Sequence, residues 1–116
     1  MSQIDQQTKR IYEWRVYKVV PGKMGALNNR FQNTTLRLFK KHGIKVVGFW
    51  EAVVGASNVL YYMLAWKNMA YREKAWNAFQ SDPEWTKARQ ETEKDGPLVE
   101  RVLNTLLRPT SYSPMK

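Results

Sequence analysis

The 116-residue chain predicts an α+β domain: one four-stranded antiparallel sheet with helices on one of its faces. Three observations point there. Four runs are rich in β-branched and aromatic residues. Apolar residues at helical spacing lie between the first and second runs and between the third and fourth. Turn residues separate the segments. The order strand, helix, strand, strand, helix pair, strand is the βαββαβ pattern of ferredoxin-like domains, in which helices cover one sheet face.

Each element has its own signal. Ile11 to Val20 reads as the first strand and ends at Pro21-Gly22-Lys23. Met24 to Lys41 reads as an amphipathic helix, with Leu27, Phe31, Thr34 and Leu38 as its apolar stripe. His42-Gly43 stops it: glycine suits the left-handed position after a helix, and Lys40, Lys41 and His42 complement the helix dipole. Ile44 to Val54 and Val59 to Trp66 form a hairpin around Gly55-Ala56-Ser57-Asn58. Met69 to Gln80 is helical, with Arg72, Ala75, Trp76 and Phe79 on one face. Ser81-Asp82-Pro83-Glu84 starts another helix: Asp82 or Ser81 caps it, Pro83 sits at the first position, and Glu84 lies at the positive end. That helix runs to about Lys94, before Asp95-Gly96-Pro97, and Leu98 to Leu107 is the last strand.

Length and composition bound the function. At 13.7 kDa, this is a single domain over residues 10–116, with residues 1–9 expected to be a flexible polar N-terminus. There is no cysteine and one histidine, so thiol nucleophiles, disulfides and multi-histidine metal sites within one chain are excluded. No cofactor is called for: the chain lacks a phosphate-cradling glycine loop, and no acidic cluster resembles a calcium loop. The uncharged run Ala52–Trp66 is shorter than the ~20 residues of a membrane span. The opening MSQIDQQTKR has no apolar core, so no secretion signal is read and a cytoplasmic location is expected.

The net charge of +9 is concentrated. Arg15, Lys18, Lys23, Arg30, Arg37, Lys40, Lys41 and Lys45 fall between Trp14 and Trp50 with no acidic residue among them. Arg30, Arg37 and Lys41 would share one helix face. Two readings stand: a solvated face, or one that engages an anionic partner. Nucleic acid is a poor fit, because the aromatic signature of RNA-binding sheets is missing as a motif.

Both parities of the first and last strands carry large apolar groups, so both sheet faces need cover. In a chain this short, the simplest second cover is another copy, which predicts a homodimer with its sheets face to face.

Candidate site residues follow from the same parities. Glu13, Arg15 and Tyr17 share a face of the first strand. If that face lines the interior of the dimer, Arg15 could anchor a substrate carboxylate or enolate, with Glu13 or Tyr17 transferring a proton. The alternative is a buried ion pair that fixes dimer register. His42 could act as a general base or a haem ligand, against the plainer reading that it belongs to the helix cap. The hairpin is unusually aromatic, with Trp50, Tyr61, Tyr62, Met63 and Trp66. Trp14 of the first strand, with Trp50, Tyr61 and Met63 of the hairpin, are the candidates for contact with a planar apolar ligand, against the plainer reading of core packing.

Several motifs together resemble the NIPSNAP family. They are Tyr12-Glu13-Trp14-Arg15-Val16-Tyr17 before Pro21-Gly22-Lys23, then His42-Gly43, Gly48-Phe49-Trp50, and Trp76-Asn77-Ala78-Phe79 leading to Asp82-Pro83-Glu84-Trp85. Leu106-Leu107-Arg108-Pro109-Thr110 with Ser113-Pro114 closes the set, so the resemblance spans about residues 10–114. Trp14 departs from the aliphatic residue more usual there. The resemblance implies a dimeric α/β-barrel and no single activity. Related barrels include monooxygenases of antibiotic biosynthesis, polyketide cyclases, lactone isomerases and haem-binding enzymes. Two functions are therefore carried forward. One is a homodimer binding a small hydrophobic or aromatic ligand, with proton transfer, cyclisation or cofactor-free oxidation as chemistries its residues suit. The other is a non-catalytic scaffold using the basic helix face.

Overall fold

The computed structural model describes residues 10–116; the expectation for residues 1–9 lies outside them. Strand β1 (Ile11–Val19) leads to a long helix α1, which has three continuous parts: Met24–Arg30, a π-helical turn Phe31–Thr35, and Leu36–Lys41. Then come β2 (Lys45–Glu51), β3 (Val59–Trp66), α2 (Met69–Gln80), α3 (Pro83–Thr92) and β4 (Val99–Leu107). The sheet order is β2-β3-β1-β4 with every pair antiparallel, the ferredoxin-like arrangement. No helix among the described residues is long and apolar enough to cross a membrane.

Helix boundaries follow local chemistry. Asn68 Oδ1 accepts the Tyr71 N–H at 2.8 Å and caps α2. Of the two possible caps for α3, Asp82 is the one used: its Oδ1 accepts the Glu84 N–H at 2.9 Å, and Pro83 follows it. Gly43, at φ +72°, turns the chain out of α1.

Two expectations are corrected. Strand β2 stops at Glu51 rather than Val54, so the connection to β3 is longer than four residues. Val53 is 100% exposed and Val54 nearly so; their β propensity has no partner strand and no layer to pack on. In α1, Thr35 rather than Thr34 is the buried threonine of the stripe. The π-helical turn admits one extra residue and rotates the helical face, and Thr35 Oγ1 reaches back to the Arg30 carbonyl at 3.3 Å.

The core lies between the helices and one sheet face. Leu27, Leu38 and Phe39 from α1 and Phe79 from α2 meet Leu64 and Trp66 from β3. Phe31 packs edge-on to Tyr62 (5.5 Å between ring centroids) and to Phe49 (4.9 Å). The helices leave most of β4 uncovered: Val102 and Leu106 on the helix-side face and Leu103 and Leu107 on the other are all exposed, while Val99 packs on the core.

Candidate functional site

Glu13 is fully buried at the centre of the helix-covered face, and four side chains hold it. Its strand neighbour Arg15 donates to Oε2 at 2.8 Å. Arg72 of α2 donates to both oxygens, at 2.8 and 3.0 Å. Trp66 Nε1 donates to Oε1 and Asn104 Nδ2 to Oε2, each at 3.0 Å. Burial alone would raise the carboxyl pKa. Hydrogen bonds from Arg72 and Asn104, with the charge and hydrogen bond of Arg15, outweigh it and bring the group down to about 2. Glu13 is therefore an ionised, acceptor-only group at neutral pH.

Arg15 extends this network. Its Nε donates to the Tyr62 hydroxyl at 2.7 Å, and the Tyr17 and Tyr62 hydroxyls lie 2.8 Å apart. The Arg15 guanidinium also stacks over Trp76, 4.7 Å from the ring centroid. Burial pushes the Tyr62 phenol well above the usual tyrosine range, although Arg15 pulls the other way.

Arg15 and Tyr17 of β1, with Val99 and Val102 of β4, form the sheet wall of a cavity of about 180 Å³. Its helix wall includes Phe31, Trp76, Phe79 and Trp85, with Arg30, Arg89 and Glu93 as the charged groups. The volume is close to that of an engineered cavity that takes up benzene, about 150 Å³.

The parity argument thus joins Glu13, Arg15 and Tyr17 in one network, but beneath the helices. The face that a second sheet could cover is the other one. The reason is geometric: the apolar stripe of α1 packs against Tyr17 and Tyr62, and the helix layer can cover only one side.

The other candidates lie elsewhere. Trp14, Trp50, Tyr61 and Met63 are on the opposite, helix-free face, where Trp14 packs against Trp50 and Tyr61 with centroids 5.9 and 5.8 Å apart. His42 is at the C-cap of α1, and its Nε2 lies 2.7 Å from Asp82 Oδ2. It is not in the cavity wall.

The basic stripe of α1 is not a free cationic face. Arg30 pairs with Glu93 at 2.8 Å, Arg37 with Glu84 at 2.9 Å, and Lys41 with Asp82 at 2.9 Å. Segregated charge in the sequence becomes an ion-pair seam between α1 and the start and end of α3.

Sequence reasoning missed Asn104 and the role of Arg72. Asn104 had a signal: it is an amide within the apolar stretch of β4, on the parity that faces Arg15. Arg72 was visible as a cation among apolar residues on one face of α2. Tyr62 stood in the aromatic hairpin, and only the register pairing it with Arg15 distinguishes it from Tyr61.

The fold has solved counterparts. An uncharacterized NIPSNAP-like domain protein from Burkholderia xenovorans superposes with a TM-score of 0.81 at 20% identity, over 92% of this chain and 90% of that one. A NIPSNAP family protein from Agrobacterium tumefaciens C58 gives 0.83 at 19% identity, over 93% and 100%. A second protein from that strain, a NIPSNAP family member with unknown function, gives 0.81 at 22% identity, over 94% and 96%. No curated protein is significantly similar to this chain. The NIPSNAP family model matches residues 12–114, which spans β1 through the segment after β4 and includes every side chain of the Glu13 network, and so the chain belongs to the NIPSNAP family.

Proposed function

We propose that this protein is a homodimer in which each protomer binds a small aromatic or otherwise apolar molecule in the cavity, with Tyr17 donating its hydroxyl to an oxygen of that ligand. The observation that carries the reading is the hydrogen-bond chain behind Tyr17. Arg15 can only donate, so the Tyr62 oxygen accepts from it. Burial keeps Tyr62 protonated, and its own proton goes to the nearest acceptor, the Tyr17 oxygen at 2.8 Å. Tyr17 then has its proton free for the cavity that it lines. A cation at the far end of the chain favours negative charge developing on a ligand oxygen. The chemistry this supports is proton transfer to a carbonyl or enolate oxygen, with Tyr17 as the general acid. Glu13 orients Arg15, and His42 remains a cap residue. The aromatic set on the helix-free face is assigned to subunit contact rather than to ligand.

Acetophenone, a ring with one acceptor oxygen, is a suitable probe. Isothermal titration is expected to give saturable binding to the native protein. Tyr17→Phe should weaken it roughly five- to tenfold, the worth of one hydrogen bond of about 1 kcal/mol. Absence of saturable binding, or equal affinity for the variant, would overturn the reading.

A further inference from the structure

Two residues of the cavity's helix wall carry buried hydrogen-bond donors that have no partner among the described residues. Arg30 and Trp85 are both more than nine-tenths buried and both belong to the cavity wall. Arg30 uses one terminal nitrogen, which donates to Glu93 Oε2 at 2.8 Å and Thr92 Oγ1 at 3.1 Å. Its guanidinium lies over the Trp85 indole, 5.0 Å from the centroid. Among the described residues, the buried Arg30 Nε and Trp85 Nε1 have no hydrogen-bond partner. Both atoms are donors only, so only an acceptor can satisfy them. A buried donor left unpaired costs about 1–3 kcal/mol, which makes two in one cavity an uncommon expense for structure alone.

Charge narrows the class of acceptor. On the helix wall, Arg30 and Arg89 share the single carboxylate of Glu93. At the sheet wall, Arg15 and Arg72 share that of Glu13. Each cluster thus carries one positive charge more than its carboxylate balances, and Arg15, Arg30 and Arg89 are the cations in the cavity wall. A guanidinium fork beside an indole N–H suits the two oxygens of a carboxylate. At about 180 Å³, the cavity has room for far more than one water, whose share of liquid volume is about 30 Å³.

We infer that Arg30 and Trp85 form a carboxylate subsite, so that the ligand is a ring-sized carboxylic acid bearing a second oxygen. The carboxylate sits on Arg30 Nε and Trp85 Nε1 at the helix wall, and the second oxygen meets Tyr17 at the sheet wall. This rests on the cavity reading above and adds the substrate class to it. The π-helical turn has a part here: it begins directly after Arg30 and presents Phe31 and Thr35 to the same cavity.

Benzoate and acetophenone test this, because they have nearly the same shape and differ in charge. Their affinities are measured by titration while the indole N–H signals are followed by NMR. The Trp85 signal is identified as the one lost in Trp85→Phe. Benzoate is expected to bind at least about tenfold more tightly than acetophenone and to move the Trp85 signal downfield. That preference should fall to near one in Arg30→Lys and, independently, in Trp85→Phe, each checked for native folding by circular dichroism. Equal binding of the two probes with the Trp85 signal unmoved would overturn the subsite and leave the Tyr17 reading standing. A preference that survives Arg30→Lys would place the carboxylate on Arg15 and also overturn it. If neither probe binds, the cavity reading fails and the subsite falls with it.

Discussion

Glu13 carries the strongest single-residue consequence. Four donor side chains from β1, β3, α2 and β4 converge on its carboxylate, so its charge ties every layer of the domain to the sheet centre. A carboxyl lowered from 4.5 to about 2 contributes stability that is complete above its unfolded value and lost as pH falls through the folded one. The shift corresponds to roughly 3 kcal/mol at neutral pH. Glu13→Gln also leaves Arg15 and Arg72 without their shared anion, a change in the class that costs about 3–5 kcal/mol. The expected result is a large loss of unfolding free energy in urea at pH 7 that narrows markedly by pH 3. A gap of constant size across that range would refute the linkage.

At the level of helices and strands, the close of α1 combines two constraints at Gly43. Its φ of +72° lies in the left-handed region, and a Cβ there would run into the Tyr71 hydroxyl, which donates to the Gly43 carbonyl at 2.9 Å. Gly43→Ala therefore costs at least about 1–2 kcal/mol from backbone conformation alone. Thermal unfolding is the measurement, and an unchanged midpoint would contradict it. Asp82 binds α1 to α3 in another way. Hydrogen bonds from Lys41 and His42 hold its carboxyl well below the usual aspartate range while it caps α3. The motif that the sequence offers as a helix start is also the clamp on the preceding helix.

The assembled domain leaves one sheet face without helices, and that face sets the expected assembly. Trp50 is 47% exposed and Leu103 43%, and both share the helix-free face with Trp14, Tyr61 and Met63. Packing two such faces removes this apolar surface from water at about 25 cal/mol per Å². The native protein is expected to run at twice 13.7 kDa in sedimentation equilibrium. Trp50→Glu with Leu103→Glu should yield a folded monomer at micromolar concentration, because two buried carboxylates per protomer would face no partner. A native monomer would sink the homodimer, and a mutant dimer would move the interface elsewhere.

Strand and helix order, the cap at Asp82-Pro83, the stop at Gly43 and the parity uniting Glu13, Arg15 and Tyr17 are all legible in the chain, because each depends on neighbours within a few residues. The NIPSNAP resemblance is legible for the same reason, being a series of local motifs in fixed order. Three decisions needed the folded molecule. The first was which sheet face the helices cover, since both parities are apolar and only packing separates them. The second was the fate of the basic stripe, whose acidic partners stand more than forty residues away in α3 and at its two caps. The third was the cavity, where Arg15 and Tyr17 share a wall with Arg30 of the next helix and with Trp85, far away in sequence. Local chemistry is written in short spacings, while a site is a product of long-range contacts that no spacing records.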